Sequence, residues 1–220
     1  MENAKILIYD GSFNGYLTAI FLAFEEKIHV VDIQKSSLLQ NGLFTDAKNI
    51  TTQLDKAERV WNGIQNKSHI AIKNVYFSFL SEQKGIELLL YRFIRKLFFP
   101  NEMISLNFSD NNETRIYQLA KAVGKEKYSV ETFTKLEVTK DGVYLGNIAP
   151  EFDVLPLISK HFCSRFQNQK WIIYGMNRKY GLYYDSSRLT KIASQNTKLH
   201  PFEIRNNQVT SSMIKEQMIA

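Results

Sequence analysis

Three short stretches of the sequence gather side chains capable of acid–base, metal or phosphate chemistry. Asp10-Gly11-Ser12 follows an apolar run, Lys5–Tyr9, and leads into a mostly apolar segment, Asn14–Glu26. A carboxylate at the end of a buried strand, in a glycine-containing loop that opens a helix, can hold a metal or orient a hydroxyl. The loop's N–H groups also suit a phosphate. The glycine spacing matches neither a Walker loop nor a dinucleotide fingerprint. The same residues equally suit a turn in which Asp10 or Ser12 caps the helix. Glu82 lies at the start of a helical pattern beginning at Ser81, where a carboxylate complements the helix dipole or acts as an acid or base. His161 and Arg165 are four residues apart in a third pattern and so share a helix face. With Lys160 and Ser164 they form either a phosphate-binding ridge or a solvated polar face. Asp10, Glu82 and His161 are the candidate catalytic residues.

Arg178, Lys179, Tyr180, Tyr183 and Tyr184 interleave cations with aromatic rings. Cations neutralise phosphates while tyrosine rings stack on unpaired bases, so this segment reads as a nucleic-acid surface or as ordinary packing. Strand alternation sends Tyr183 and Tyr184 to opposite faces, so at most one of them stacks on a base. Lys160, Arg165, Arg178, Lys179, Tyr180 and Tyr183 are the candidate nucleic-acid-binding residues. The four histidines are scattered without metal-ligand spacing, and Cys163 is the single cysteine. No disulfide within the chain, zinc site or cofactor is therefore expected.

Charge separates the two halves of the chain. Residues 115–191 hold 13 Lys/Arg against 7 Asp/Glu, which accounts for the whole net charge of +6. A local surplus of this kind favours an anionic partner such as DNA, or else a solvated basic face. No apolar run is long enough to span a membrane, and the N-terminus lacks the pattern of a signal peptide. A reduced, cytoplasmic setting is expected.

The elements that must position these residues follow from periodicity. Lys5–Tyr9 and Ile28–Ile33 read as short strands flanking a helix over Asn14–Glu26, a small α/β start. Ala57, Val60, Trp61 and Ile64 mark a helix over Asp55–Gln65. Ile86, Leu89, Leu90, Phe93, Ile94 and Leu97 mark another that starts at Ser81 and stops at Pro100. A further helix is expected from about Asn112 to Val123, ended by Gly124. Thr132–Thr139 and Val143–Ile148, joined through Lys140-Asp141-Gly142, read as a hairpin. Asp153 is the expected N-cap of a helix over Val154–Phe166. Lys170–Tyr174 and Gly181–Tyr184 read as a second hairpin, turning through Asn177, Arg178 and Lys179. The fold class expected is α+β. Residues 1–130 form a mixed, mostly helical half, and residues 131–192 an antiparallel sheet of hairpin, helix and hairpin covered by the helix, packed with the first half as one unit. Residues 193–220 form a peripheral tail with one short helix over Ser211–Met218.

Five segments in this order resemble an uncharacterised bacterial family labelled probable DNA metabolism proteins: YDGSFNG at 9–15, KAERVWNGI at 56–64, FLSEQKGIE at 79–87, IAPEFDVLPLISKHFCSRF at 148–166 and WIIYGMNRKYGLYYD at 171–185. The likeness covers roughly residues 4–190. It implies an accessory protein of DNA modification or repair that partners a radical SAM protein, some relatives being fused to a uracil-DNA-glycosylase-like domain. Asn14 stands where the family has an acidic residue, Tyr128-Ser129 where it has His-Arg, Phe152 where it has His, and Gly175 where it has Asp. Each departure removes titratable or cationic chemistry, which implies a divergent member. The leading expectation is binding of DNA, or of a radical SAM partner that holds DNA, through the basic half. The alternatives are an enzyme acting on a damaged base or phosphodiester and a protein-binding adaptor.

Overall fold

The fold begins with a run of apolar residues too continuous for a strand with one wet face. β1 (Ala4–Tyr9) buries Leu7, Ile8 and Tyr9 in succession, as a strand covered on both faces does. It lies between β2 (His29–Lys35) and β3 (Asp46–Asn49), parallel to both. The structure is a computed structural model that describes residues 4–38, 46–101 and 110–193. The chain divides into two compact units, Met1–Ala122 and Val123–Ala220.

In the first unit, α1 (Phe13–Glu25) links β1 to β2 and is capped by Ser12, whose hydroxyl accepts from the Gly15 N–H at 2.9 Å. The strand–helix–strand start and the helix over Asp55–Gln65 agree with expectation, the latter as α2 (Leu54–Lys67). Ser68 ends α2 and caps α3 (His69–Phe79) by accepting from the Ala71 N–H at 3.1 Å. α3 carries apolar residues on most of its faces, interrupted by Lys73 and Asn74, so its amphipathic pattern is weak. It also displaces the expected helix start at Ser81: the Ser81 hydroxyl closes the end of α3 by donating to the Ser78 carbonyl. α4 (Ile86–Phe98) begins only after Gly85, at φ 77°. Glu82 therefore occupies a left-handed turn at φ 52° and does not sit in a helix's first turn.

α5 (Asp110–Phe133) runs nine residues past Gly124. A glycine inside a helix costs only about 1 kcal/mol relative to alanine, and the residues beyond it offset that. Val130 packs on the core of the second unit, and Lys127 pairs with Glu131 one turn on at 2.7 Å. The division between units, like the expected divide at residue 130, falls within this helix.

The second unit is a five-stranded sheet in the order β4-β5-β6-β7-β8. Because α5 consumes residues through Phe133, β4 (Glu137–Val138) is short, and it meets β5 (Tyr144–Ile148) through a turn with Gly142 at φ 74°. α6 (Leu155–Arg165) then crosses over to β6 (Trp171–Gly175), which lies parallel to β5. The sheet is thus antiparallel everywhere except at this pair, a correction to the expectation of hairpins alone. β7 (Tyr180–Tyr184) pairs with β6 in the expected hairpin, and β8 (Leu189–Ala193) adds an edge strand that the sequence did not announce. Ile148, Leu155, Ile158, Phe162, Trp171, Ile173 and Leu182 form the core between α6 and the sheet. The α+β class holds. Among the described residues no helix is long and apolar enough to cross a membrane. The expected helix over Ser211–Met218 lies outside the described residues.

Candidate functional site

The first candidate region is the carboxyl edge of the small parallel sheet. Strand order 2-1-3 places β3 across β1 from β2, so the strand order reverses between β1 and β3, the place where open α/β sheets receive ligands. Asp10 leaves β1 there, and Thr52 follows β3. The Asp10 Oδ1 accepts from the Ser12 N–H at 2.8 Å and the Ser12 hydroxyl at 2.7 Å, and Oδ2 accepts from the Thr52 hydroxyl at 2.8 Å. Burial pushes the Asp10 carboxyl up, but the bonds from Ser12 and Thr52 outweigh it and hold the group below its ordinary value. An ionised carboxylate with three donors is a well-satisfied anchor and a poor base. Gly15 makes the arrangement possible, since a Cβ there would lie 2.2 Å from Asp10 Oδ1.

Glu82 reaches the same rim through Lys35. The Lys35 side chain lies against Gly11, and its Nζ pairs with Glu82 at 3.4 Å. Beneath the rim, the Tyr9 hydroxyl donates to the buried Glu87 carboxylate at 3.1 Å, and the Tyr16 hydroxyl donates to the Glu87 carbonyl at 2.8 Å. Burial and the Glu87 charge push the Tyr9 hydroxyl well up, so it stays protonated. Sequence reasoning missed Thr52, Lys35 and Glu87. Glu87 alone carried a signal, as a carboxylate within an apolar helical stripe.

His161 belongs to the second unit. Its ring stands edge-on to Phe162 at 5.2 Å, and its Nε2 is buried without a hydrogen-bond partner among the described residues. Lys160 and Arg165 are exposed on the same helix, the Arg165 guanidinium lying 5.6 Å from the Phe166 ring centre. Asp153 does not cap α6. Val154 takes the cap position without a side-chain bond, and the Asp153 carboxylate accepts from the Tyr180 hydroxyl.

The β6–β7 hairpin divides its residues between structure and surface. Arg178 donates to the Pro150 carbonyl at 3.1 Å and the Glu151 carbonyl at 2.7 Å, and Asn177 donates to the Pro150 carbonyl at 3.1 Å. The same loop is held from the other side by Glu126, which accepts from the Glu151 and Phe152 N–H groups at 2.6 and 2.7 Å. Lys179 is exposed at φ 56°. The Tyr180 ring is covered by Lys191, whose Nζ lies 4.2 Å from its centre. Tyr184 packs on Trp171 with ring centres 5.5 Å apart, while Tyr183 lies on the opposite face.

Two departures from the resemblance are buried here. Phe152 is held by Glu126, and at Gly175 a Cβ would meet Leu155 Cδ1 at 2.8 Å. Tyr128 and Ser129 are exposed on α5, and Asn14 is exposed on α1.

Four carboxylates of this unit are engaged, while Glu137, Asp141 and Glu151 are exposed. Glu126 holds a loop, Glu131 pairs with Lys127, Asp153 accepts from Tyr180, and Asp185 clamps the β7–β8 turn through the Arg188 and Ser187 N–H groups and the Ser187 hydroxyl. Those bonds, the Arg188 N–H first, pull the Asp185 carboxyl down to about 2. Lys160, Arg165, Lys170, Lys179 and Arg188 stay exposed. Among the described residues no group of three or more His, Cys, Asp or Glu is placed to hold a metal ion.

No curated protein matches this chain. A family model described as a domain of unknown function, DUF4130, matches residues 84–215, more than half of the chain. The match takes in α4 to β8, with the Glu126 clamp, the α6 crossover and the β6–β7 hairpin, and leaves Asp10 and Glu82 outside it. The chain belongs to the DUF4130 family.

Proposed function

We propose that this protein is a cytoplasmic accessory factor of DNA modification or repair that binds nucleic acid through its second unit, alone or together with a radical SAM partner. One observation carries the reading: Lys160, Arg165, Lys170, Lys179 and Arg188 are among the exposed cations of a unit in which Glu126, Asp153 and Asp185 are turned to its own backbone and hydroxyls. Cations left without local carboxylates keep their charge for an external polyanion, and the gain on binding comes from counterions released from its phosphates. The partner and the repair context rest on the resemblance of the five segments quoted above.

The enzyme reading, with Asp10, Glu82 and His161 in catalytic roles, draws less support. Asp10 already accepts three hydrogen bonds, and Glu82 is paired with Lys35. An adaptor reading draws on Tyr128, Phe133 and Val138, which are 68%, 73% and 60% exposed. Fluorescence anisotropy of the full chain with labelled DNA across a salt series tests the proposal. Affinity is expected to fall linearly on a log–log plot, by about 0.7 in slope per phosphate neutralised on a single strand. Binding that is absent, or indifferent to salt, contradicts it.

A further inference from the structure

We propose that the sheet face turned away from α6 is a stacking platform for single-stranded nucleic acid, with Tyr174 and Tyr183 seating unpaired bases. This rests on the nucleic-acid reading above and narrows it to a ligand class and a surface. The assignment of faces follows from register. Trp171 and Ile173 of β6, and Tyr180, Leu182 and Tyr184 of β7, belong to the cluster under α6. Alternation then puts Ile172, Tyr174, Gly181 and Tyr183 on the other side. The pairs Ile172↔Tyr183 and Tyr174↔Gly181 confirm one shared face, and β8 continues it with Thr190 opposite Tyr183.

The tyrosines on the two faces are treated differently. Under α6, Tyr144 packs on Phe166 at 5.9 Å, Tyr180 bonds Asp153 and lies beneath Lys191, and Tyr184 packs on Trp171. On the other face, Tyr174 and Tyr183 are partly buried, and among the described residues their side chains make neither a hydrogen bond nor a ring contact. Gly181 allows the Tyr174 ring to lean over the sheet, since a Cβ there would meet Tyr174 Cδ2 at 3.1 Å and the Ile173 carbonyl at 2.6 Å. Ile172 beside Tyr174 and Tyr183 is 4% exposed, while both tyrosines keep part of their surface open. Tyr174 and Tyr183 are diagonal cross-strand neighbours, a separation of roughly 7–8 Å that neighbouring bases of one extended strand can bridge.

Charge complements the rings. Lys170 and Arg188 immediately precede β6 and β8, are exposed, and keep their carbonyls in the ladder by accepting from the Tyr144 and Asp185 N–H groups. Alternation therefore extends to both and brings them to the platform side, where they can meet phosphates. A sheet with aromatic residues on one face and a helix on the other reads single strands by stacking, because unpaired bases expose π-faces that a duplex hides.

The test uses the full chain with a short oligothymidine and the matching thymidine–adenosine duplex. Tyr174→Leu and Tyr183→Leu are each expected to weaken single-strand binding about 5- to 100-fold and to leave duplex binding unchanged, whereas Tyr→Phe at either position keeps affinity. Photocrosslinking of an iodouracil-substituted oligonucleotide to the unmutated protein reads the same contact without relying on any variant, and adducts are expected on peptides containing Tyr174 or Tyr183. Leucine variants that bind like the parent, or adducts confined to other peptides, overturn the platform while salt-dependent binding keeps the broader reading. Loss of all nucleic-acid binding by the parent protein overturns both.

Discussion

In the loop after β1, a carboxylate takes donors from Ser12 and Thr52, and the neighbouring lysine takes a carboxylate partner from Glu82. Across β6 and β7 the arrangement is different: the side chains of Arg178, Asn177 and Tyr180 bond their own chain, whereas those of Lys179, Tyr174 and Tyr183 make no hydrogen bond or ion pair among the described residues. Both regions hold residue types that do chemistry. Availability separates them, because a group whose lone pairs or protons are already taken must break those bonds before it can serve a ligand. The first region therefore reads as an anchor for a strand–helix junction, and the second as a surface with binding capacity left over.

The comparison breaks most directly at Gly15. Gly15→Ala forces a Cβ into the Asp10 carboxylate and the Thr52 hydroxyl, and is expected to destabilise the first unit by about 1–3 kcal/mol, measured as a shift in urea midpoint. A neutral result would mean that the Asp10 loop is loose enough to rearrange around a ligand.

Arg178 sharpens the contrast inside the hairpin. If it clamps the Pro150–Glu151 loop, Arg178→Ala costs about 1–2 kcal/mol of stability and leaves the salt slope of DNA binding nearly unchanged. A reduced slope with intact stability would move Arg178 to the binding surface.

Asp10→Asn is expected to cost about 1 kcal/mol at neutral pH, discounted for the exposure of the group. The Asp10 carboxyl lies below its ordinary value of 3.8 when folded, so the folded state binds fewer protons there. Its contribution is fully present above that value and is lost as pH falls through the depressed one. The difference between parent and variant should therefore close in acid, which urea titrations at neutral and strongly acidic pH would read.

Much of this architecture is written in local pattern. The strand–helix–strand start, the helix over Asp55–Gln65 and the β6–β7 hairpin each carry periodicity and turn residues that agree with their tertiary setting. The errors lie where a longer-range interaction overrules a local signal. Gly124 reads as a helix stop, yet the packing of Val130 and the Lys127–Glu131 pair carry α5 through it. Asp153 reads as a cap, yet Tyr180 lies within hydrogen-bond reach and takes its carboxylate. Ser81 and Glu82 read as a helix start because the end of α3, Phe77–Leu80, carries no glycine or proline to mark it. The Glu126 clamp was invisible for a related reason: its partners lie 25 and 26 residues downstream, and no periodicity encodes such a pair. Of the candidate site residues, the exposed cations were legible as charge. Which tyrosines face away from α6 needed the register.

The central claim is that the exposed cations of the second unit contact phosphates, and the slope of log affinity against log salt measures this directly. The unmutated protein and the triple variant Lys170→Ala/Lys179→Ala/Arg188→Ala, which removes exposed cations beside the β6–β8 face, should be compared on one oligothymidine. The account predicts that the variant folds as the parent does and that its slope is shallower by about 2, near 0.7 for each phosphate contact removed. Parallel lines for the two proteins would contradict it.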